Sequence, residues 1–348
     1  MKLSIFPLTP DLELLLKYAS MLHDCEVASI ISYIEDGEKL RKIARESNIL
    51  CTTEVEQGIA CSDALVLMDN LFDLDSEKYR NCIECAQHLG KSIFYGSSLK
   101  GLFEAKTADK PEEQSTKQEE SGIDEVRLYE FDSPIIAVFG MGENCGKFEC
   151  QIQLKHYIEK LGFSALSISS NHLGKFFGME TLPDLLFDDS VSFHRKVIEL
   201  NRFVYSLCKK YDPDVVILGV PSGIAPISVK DTNFFCELPL VVSEALKIDA
   251  GIMTLYYQRE VNDGYLQQIS DYCMHRFGAP IDSYFMSQQM AMYDPSKYKM
   301  DYLFLTDKQM ETCKPVVNSK KLISTPFDRN NAIYEKVVES LKCNIEVI

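Results

Sequence analysis

The chain has no tryptophan, and none of its apolar runs approaches the roughly 18 residues a membrane helix needs. The longest are strand-sized stretches such as IIAVF and VVILGV. Positive charge is scarce: 36 Lys and Arg stand against 52 Asp and Glu, a net charge of −16. That balance repels phosphate backbones and anionic lipid, so neither nucleic acid nor a membrane is an expected partner. The amino-terminal stretch MKLSIFPLTPDLELLL lacks the basic, apolar and small-residue zones of a secretory signal. The 12 cysteines are accordingly expected as thiols in a reducing cytoplasm. There is no H-E-x-x-H, no compact histidine cluster and no second C-x-x-C beside Cys82 and Cys85, so no protein-held metal site is named. That cysteine pair reads instead as the packing face of a helix running to Leu89.

What the sequence does contain is enough apolar surface for ordinary cores: 46% hydrophobic and 10% aromatic residues, with 17 Tyr and 19 Phe. At about 150 residues per domain, 348 residues suggest two. A charged seam divides them. From Glu104 to Glu125, EAKTADKPEEQSTKQEESGIDE carries eight acidic and three basic residues, with few groups whose burial would offset the entropy of ordering it. The expected organisation is a small α/β domain over residues 1–100, an acidic linker over 101–130 and a larger α/β domain over 131–348.

In the first domain KLSIF, EVASIISY, ALVLMD and KSIFYG read as strands, with helical spacing from Asp11 to Leu22 and from Ser76 to Leu89. Pro10 can start the first helix, giving Rossmann-like order. The first turn reads LTPDLE and lacks G-x-G-x-x-G, so a closely approached pyrophosphate is not expected there.

The strongest local signal follows the seam. Apolar PIIAVF runs into GMGENCGKF and then into a helical pattern. Gly140, Gly142 and Gly146 permit a tightly curved loop whose backbone N–H groups converge on anionic oxygens at a helix N-terminus, with Lys147 placed to reach phosphate. The candidate cofactor-binding residues are Gly140, Gly142, Glu143, Asn144, Cys145, Gly146, Lys147 and Phe148. In G-x-x-x-x-G-K-[ST] the first glycine would fall at Met141, so the spacing here is one residue longer.

That longer spacing resembles the phosphate loop of dethiobiotin synthetase and related partition-ATPase-like P-loop proteins. The resemblance covers the loop with its adjoining strand and helix, and implies an α/β core that binds ATP or GTP, with Mg²⁺ accompanying the nucleotide. Phe148 departs from it. The family places Ser or Thr there, as a hydroxyl ligand to Mg²⁺. A second departure lies downstream: DPDVVILGVPSGIAP should form a parallel strand whose turn approaches the phosphate loop, yet Asp214 precedes the strand and no acid follows it. Ser222 and Gly223 are left as possible phosphate contacts or as a plain turn. Asn171, His172, Gly174, Lys175 and Gly178 form a polar stretch able to serve either as a loop over phosphates or as ordinary surface. Cys145, near the helix N-terminus, is a candidate for a stabilised thiolate, but no histidine partner is evident and no catalytic residue is named.

GKFE at Gly146 to Glu149, the turn ILGVPSGIAP and the preceding small α/β domain also resemble proteins of clostridial peptide-maturation systems. That resemblance implies a role beside the modification of ribosomally made peptides, with a peptide or a peptide-modifying enzyme as partner, and fixes no reaction. Two functions follow. One is a cytoplasmic nucleotide-binding protein assisting peptide maturation, either a switch or an ATP-dependent enzyme. The other is a non-catalytic peptide-interaction or structural module with a degenerate phosphate loop. Fold class is expected as α/β, a small Rossmann-like domain followed by a P-loop-like domain with a mostly parallel sheet. Oligomeric state is left open.

Overall fold

The computed structural model describes residues 1–32, 48–69, 75–96, 99, 102–103, 127–226, 232–294, 296, 299–326, 328 and 331–345. The acidic stretch from Glu104 to Glu125 lies outside them. The chain forms two compact units, Met1–Gly122 with Asn171–Gly178, and Ile123–Ser170 with Met179–Ile348.

The first unit is built from β1 (Lys2–Phe6), α1 (Pro10–Lys17), β2 (Glu26–Ile31), β3 (Leu50–Thr52), α2 (Val55–Ala60), β4 (Ala64–Leu67), α3 (Ser76–His88) and β5 (Ser92–Tyr95). Its five strands are all parallel, in the order β3-β2-β1-β4-β5. Short, wholly apolar strands such as ALVL suit a sheet covered on both faces. On one face α3 presents Tyr79, Cys82, Ile83 and Ala86, one helical stripe, to Phe6, Ile31, Leu65 and Leu67. Burial pushes the Cys82 thiol up to about 12, and Cys85 and Leu89 pack on the same cluster, so this C-x-x-C is a packing face. The helix starts where the Asp75 carboxylate accepts the Lys78 N–H at 3.2 Å. Sequence periodicity missed the short β3 and α2.

Asn171–Gly178, expected as a loop of the larger domain, instead belongs to the first unit as a 3-10 turn over His172–Phe177. Its aromatic content is the reason. Phe176 is buried and meets the Phe94 ring edge-on at 5.4 Å, and Leu173 and Phe177 are buried as well. Ile93 and Tyr95 point to the α3 side, so the alternation of β5 turns Phe94 to the opposite face.

The second unit begins with β6 (Ile135–Gly140), α4 (Lys147–Lys160), β7 (Ala165–Ser169), β8 (Glu180–Thr181), α5 (Phe193–Tyr211), β9 (Val215–Gly219), α6 (Glu237–Ala245) and β10 (Ala250–Leu255). It continues with β11 (Glu260–Asn262), α7 (Asp263–Phe277), β12 (Ser283–Met286), β13 (Gln289–Asp294), β14 (Lys299–Phe304), α8 (Asp307–Thr312), β15 (Val316–Asn318), β16 (Ile323–Ser324) and α9 (Ala332–Ile345). Seven parallel strands form the main sheet, in the order β16-β12-β10-β6-β9-β7-β8. β6 therefore sits at its centre, with every residue buried. Ile135, Ala137 and Phe139 face a core shared with α5, α6 and α7, whereas Ile136 and Val138 face α4 and α9. The methionine-rich stretch after β12 enters the β13–β14 antiparallel hairpin. Both units confirm the expected α/β class with mostly parallel sheets. No helix among the described residues is long and apolar enough to cross a membrane.

Candidate functional site

The glycine loop connects the carboxyl end of β6 to the start of α4, whose N-cap is Gly146. Gly146 has φ +84°, and a Cβ there would lie 2.7 Å from the Ser287 Cβ, so this position excludes other residues both conformationally and sterically. A Cβ on Gly140 would collide with the Cys145 sulfur, and one on Gly142 with the Tyr256 hydroxyl. Asn144 is also left-handed, at φ +51°. The main chain is thus folded as tightly as the sequence pattern implied.

Neighbouring strands hold the loop in place. Met141 N–H donates to the Thr254 carbonyl at 3.1 Å, the buried Cys145 thiol donates to the Gly142 carbonyl at 3.0 Å, and the Thr254 hydroxyl donates to the Phe139 carbonyl at 2.9 Å. The same thiol lies 3.0 Å from the Thr254 hydroxyl. Cys145 is therefore a buried tie within the loop. From outside, Tyr256 donates its hydroxyl to the Glu143 carbonyl. Burial, reinforced by Cys145 and Tyr302, keeps this phenol protonated far above its usual range.

β9 lies beside β6, and its turn does reach the loop: Ile224 N–H donates to the Gly140 carbonyl at 3.0 Å. Gly223 fits against the backbone of Met141 and Gly142, where a Cβ would come within 2.6 Å of the Gly142 Cα. Lys147, the first residue of α4, donates its ammonium to the Ser222 carbonyl. Desolvation lowers the Lys147 pKa, opposed by Cys145 and Glu143. Ser222 itself is left-handed at φ +64°, and its hydroxyl donates to the Asn233 side-chain carbonyl at 2.6 Å. That oxygen also accepts the Gly223 N–H at 3.3 Å, and the Asn233 amide donates to the Ala225 carbonyl at 3.1 Å. Asn233 opens a run of four left-handed residues ending at Cys236. A left-handed conformation costs about 1–2 kcal/mol per non-glycine residue. The turn also exposes Phe234 at 67% and Phe235 at 69%.

Gly140, Gly142, Gly146 and Lys147 thus converge as the sequence indicated. Glu143 is exposed, and Phe148, where the sequence resemblance leads one to expect Ser or Thr, is buried. Glu149 follows it, buried in the first turn of α4 where a carboxylate is favourably placed against the helix dipole. Thr254, Tyr256, Ser287 and Asn233 went unrecognised as loop supports, because each meets the loop from a distant part of the chain. The donors do not fit an ordinary Mg²⁺ set: position 148 has no hydroxyl, β9 ends at Gly219 and is followed by Val220 with no acid, and no group of three or more His, Cys, Asp or Glu among the described residues is placed to hold a metal.

No protein-family model matches the chain. No curated protein sequence matches it either. Among solved structures, a DUF1611-family protein from Anabaena variabilis superposes with a TM-score of 0.56 at 13% identity, over 81% of this chain and 86% of that one. A nucleotide-binding protein in complex with ADP from Archaeoglobus fulgidus gives a TM-score of 0.28 at 12% identity, covering 60% of this chain and 87% of that one. The kinase domain of the Escherichia coli tyrosine kinase ETK gives 0.31 at 13% identity, covering 58% and 74%. The likeness that defines a common architecture is the first, and the α/β fold is what this chain shares with the Anabaena protein.

Proposed function

We propose that the second unit binds ATP or GTP through the loop from Gly140 to Lys147. The observation that carries this reading is the position of Lys147: a desolvated ammonium at a helix N-terminus, beside a loop whose three glycines leave no room for a Cβ, with a backbone carbonyl as its hydrogen-bond acceptor. A phosphate oxygen is a stronger acceptor than the Ser222 carbonyl, because an ion pair reinforces the bond and restores the charged state that desolvation opposes. The loop N–H groups and the α4 N-terminus would hold the remaining phosphate oxygens.

Phe148 and Val220 favour binding over efficient phosphoryl transfer, since neither supplies the groups that ordinarily organise Mg²⁺ around the phosphates. Nucleotide is then a positional signal, read by the turn that Lys147 touches. The sequence resemblance to peptide-maturation proteins supports a ribosomally made peptide, or an enzyme that modifies one, as the partner. The same two departures favour a second reading, a non-catalytic interaction module whose loop has lost nucleotide.

Calorimetric titration of the full chain with ATP and GTP, with and without Mg²⁺, separates the two. The first reading expects binding that Mg²⁺ alters little and that Lys147→Met abolishes or weakens by about 10- to 100-fold, as for a lost hydrogen bond to a charged group. No Lys147-dependent binding would leave the module. Binding accompanied by steady phosphate release would make the protein an ATPase or GTPase instead of a switch.

A further inference from the structure

The first unit is an open parallel sheet whose strand order reverses between β1 and β4. α1 leaves β1 toward one face, and α3 follows β4 on the face of Phe6, Leu65 and Leu67. Such a reversal opens a crevice beyond the carboxyl ends of the two strands, where open α/β sheets receive ligands. The strand ends are held side by side here: Met68 N–H donates to the Phe6 carbonyl at 2.7 Å.

Two polar groups at this end of the sheet are buried without a partner. Thr9 is the N-cap of α1 and only 7% exposed, yet its hydroxyl makes no capping bond and no hydrogen bond. An N-cap hydroxyl ordinarily accepts from the second or third N–H of its helix, and a buried one left unmade costs about 1–3 kcal/mol. The second group is His172 Nε2, buried and equally unpartnered. The other ring nitrogen lies 3.9 Å from a carboxylate oxygen of Asp69, which follows β4, and this is beyond hydrogen-bonding reach. Gly96, at the end of β5, lets Asp69 lie close: a Cβ there would meet the Asp69 carboxylate. Lys175, seated 3.9 Å above the centre of the Phe94 ring, adds positive charge on the same segment as His172.

We infer that this crevice is a second ligand site, taking a small hydroxy or amino acid. The ligand carboxylate is received by Thr9 and the N-terminus of α1, and its hydroxyl or amino group by His172 and Asp69. Phosphate fits less well. The first turn lacks the glycines that let backbone approach a phosphate closely, and Pro10 removes one N–H from the helix start. Asp69 would also repel a dianion more than a carboxylate. His172 is suited to a neutral hydrogen bond, because burial lowers its pKa to about 4 against the opposing pull of Asp69. The site lies wholly within the first unit and does not depend on nucleotide binding by the second.

The test uses calorimetric titration of the full chain with glycerate and alanine, and with propionate, glycerol and inorganic phosphate as comparisons. At least one of glycerate and alanine is expected to bind in the millimolar range or tighter, with propionate at least tenfold weaker and glycerol and phosphate silent. Thr9→Val and His172→Leu should each weaken the binding about tenfold or more. Thr9→Val should do so without lowering the melting temperature of the ligand-free protein, since it removes an unpartnered hydroxyl at nearly constant shape. The inference is overturned by failure of both acids to bind, by binding indifferent to both variants, by tighter Thr9-dependent binding of phosphate, or by a lower melting temperature for Thr9→Val. ATP titration of Lys147→Met reports separately on the phosphate loop.

Discussion

The Lys147 ammonium is hydrogen-bonded to the Ser222 carbonyl, which ties the first residue of α4 to the turn that leaves β9. Ser222 in turn holds Asn233, so a ligand that draws the ammonium away acts directly on a backbone turn of left-handed residues. Such a turn has unfavourable local energy and depends on its hydrogen bonds. Under the proposed function, this turn is what bound nucleotide would act on.

Lys147 is expected to lower the stability of the ligand-free protein at neutral pH. Desolvation depresses its folded-state pKa below the ordinary 10.5, so protonation favours the unfolded chain. Between the two values the unfolded state holds more protons, and this group's contribution to stability rises with pH. The penalty is complete below the folded pKa and gone above 10.5. Lys147→Met should therefore unfold at a higher temperature than the parent at pH 7, with the gap narrowing as pH approaches 10.5. Thermal unfolding across that range tests it; a variant less stable than the parent at pH 7 would mean the Ser222 bond outweighs desolvation.

Gly142 and Tyr256 should be energetically coupled. An alanine at 142 meets the Tyr256 hydroxyl, the same group that fixes the loop by donating to the Glu143 carbonyl. Gly142→Ala is expected to cost about 1–3 kcal/mol through overpacking, and Tyr256→Phe about 1 kcal/mol for its hydrogen bond. With the hydroxyl gone, the added methyl finds room. The double variant should therefore cost less than the two single costs combined, with a coupling on the order of 0.5–3 kcal/mol. Urea unfolding of all four proteins measures the coupling, and strict additivity would show that the Tyr256 hydroxyl does not confine the loop.

Local sequence carried the elements whose signal is local. The buried strands β6 and β9 are the apolar runs IIAVF and VVIL, each ending in a glycine. Glycine spacing placed the loop because steric exclusion at Gly140 and Gly146 acts within and around the loop itself. What was not legible depends on distant partners. Tyr256 and Asn233 support the loop from 113 and about 90 residues away, respectively, and nothing near either residue announces that role. The segment Asn171–Gly178 reads as polar surface because Asn, His and Lys dominate its outline. Its placement is decided by Leu173, Phe176 and Phe177, whose burial depends on Phe94 in another part of the chain.

The neutrality of His172 gives the first unit a defined acid sensitivity. Its folded pKa is lowered to about 4 from 6.5, chiefly by burial, with Asp69 opposing and Lys175 adding to the effect. As pH falls through 6.5 the unfolded chain takes up this proton first, while the folded imidazole resists until about 4. Stability contributed by this group should therefore decline across that window, by about 3 kcal/mol at its lower end, because each tenfold difference in proton affinity between the two states is worth about 1.4 kcal/mol. His172→Leu has no such proton to bind and should show a correspondingly flatter dependence of unfolding free energy between pH 6.5 and 4. Denaturant unfolding at a series of pH values, followed by a probe in the first unit, distinguishes the cases. Parallel curves for parent and variant would mean that His172 is solvated and titrates normally, which would also remove its buried Nε2 from the proposed acid-binding crevice.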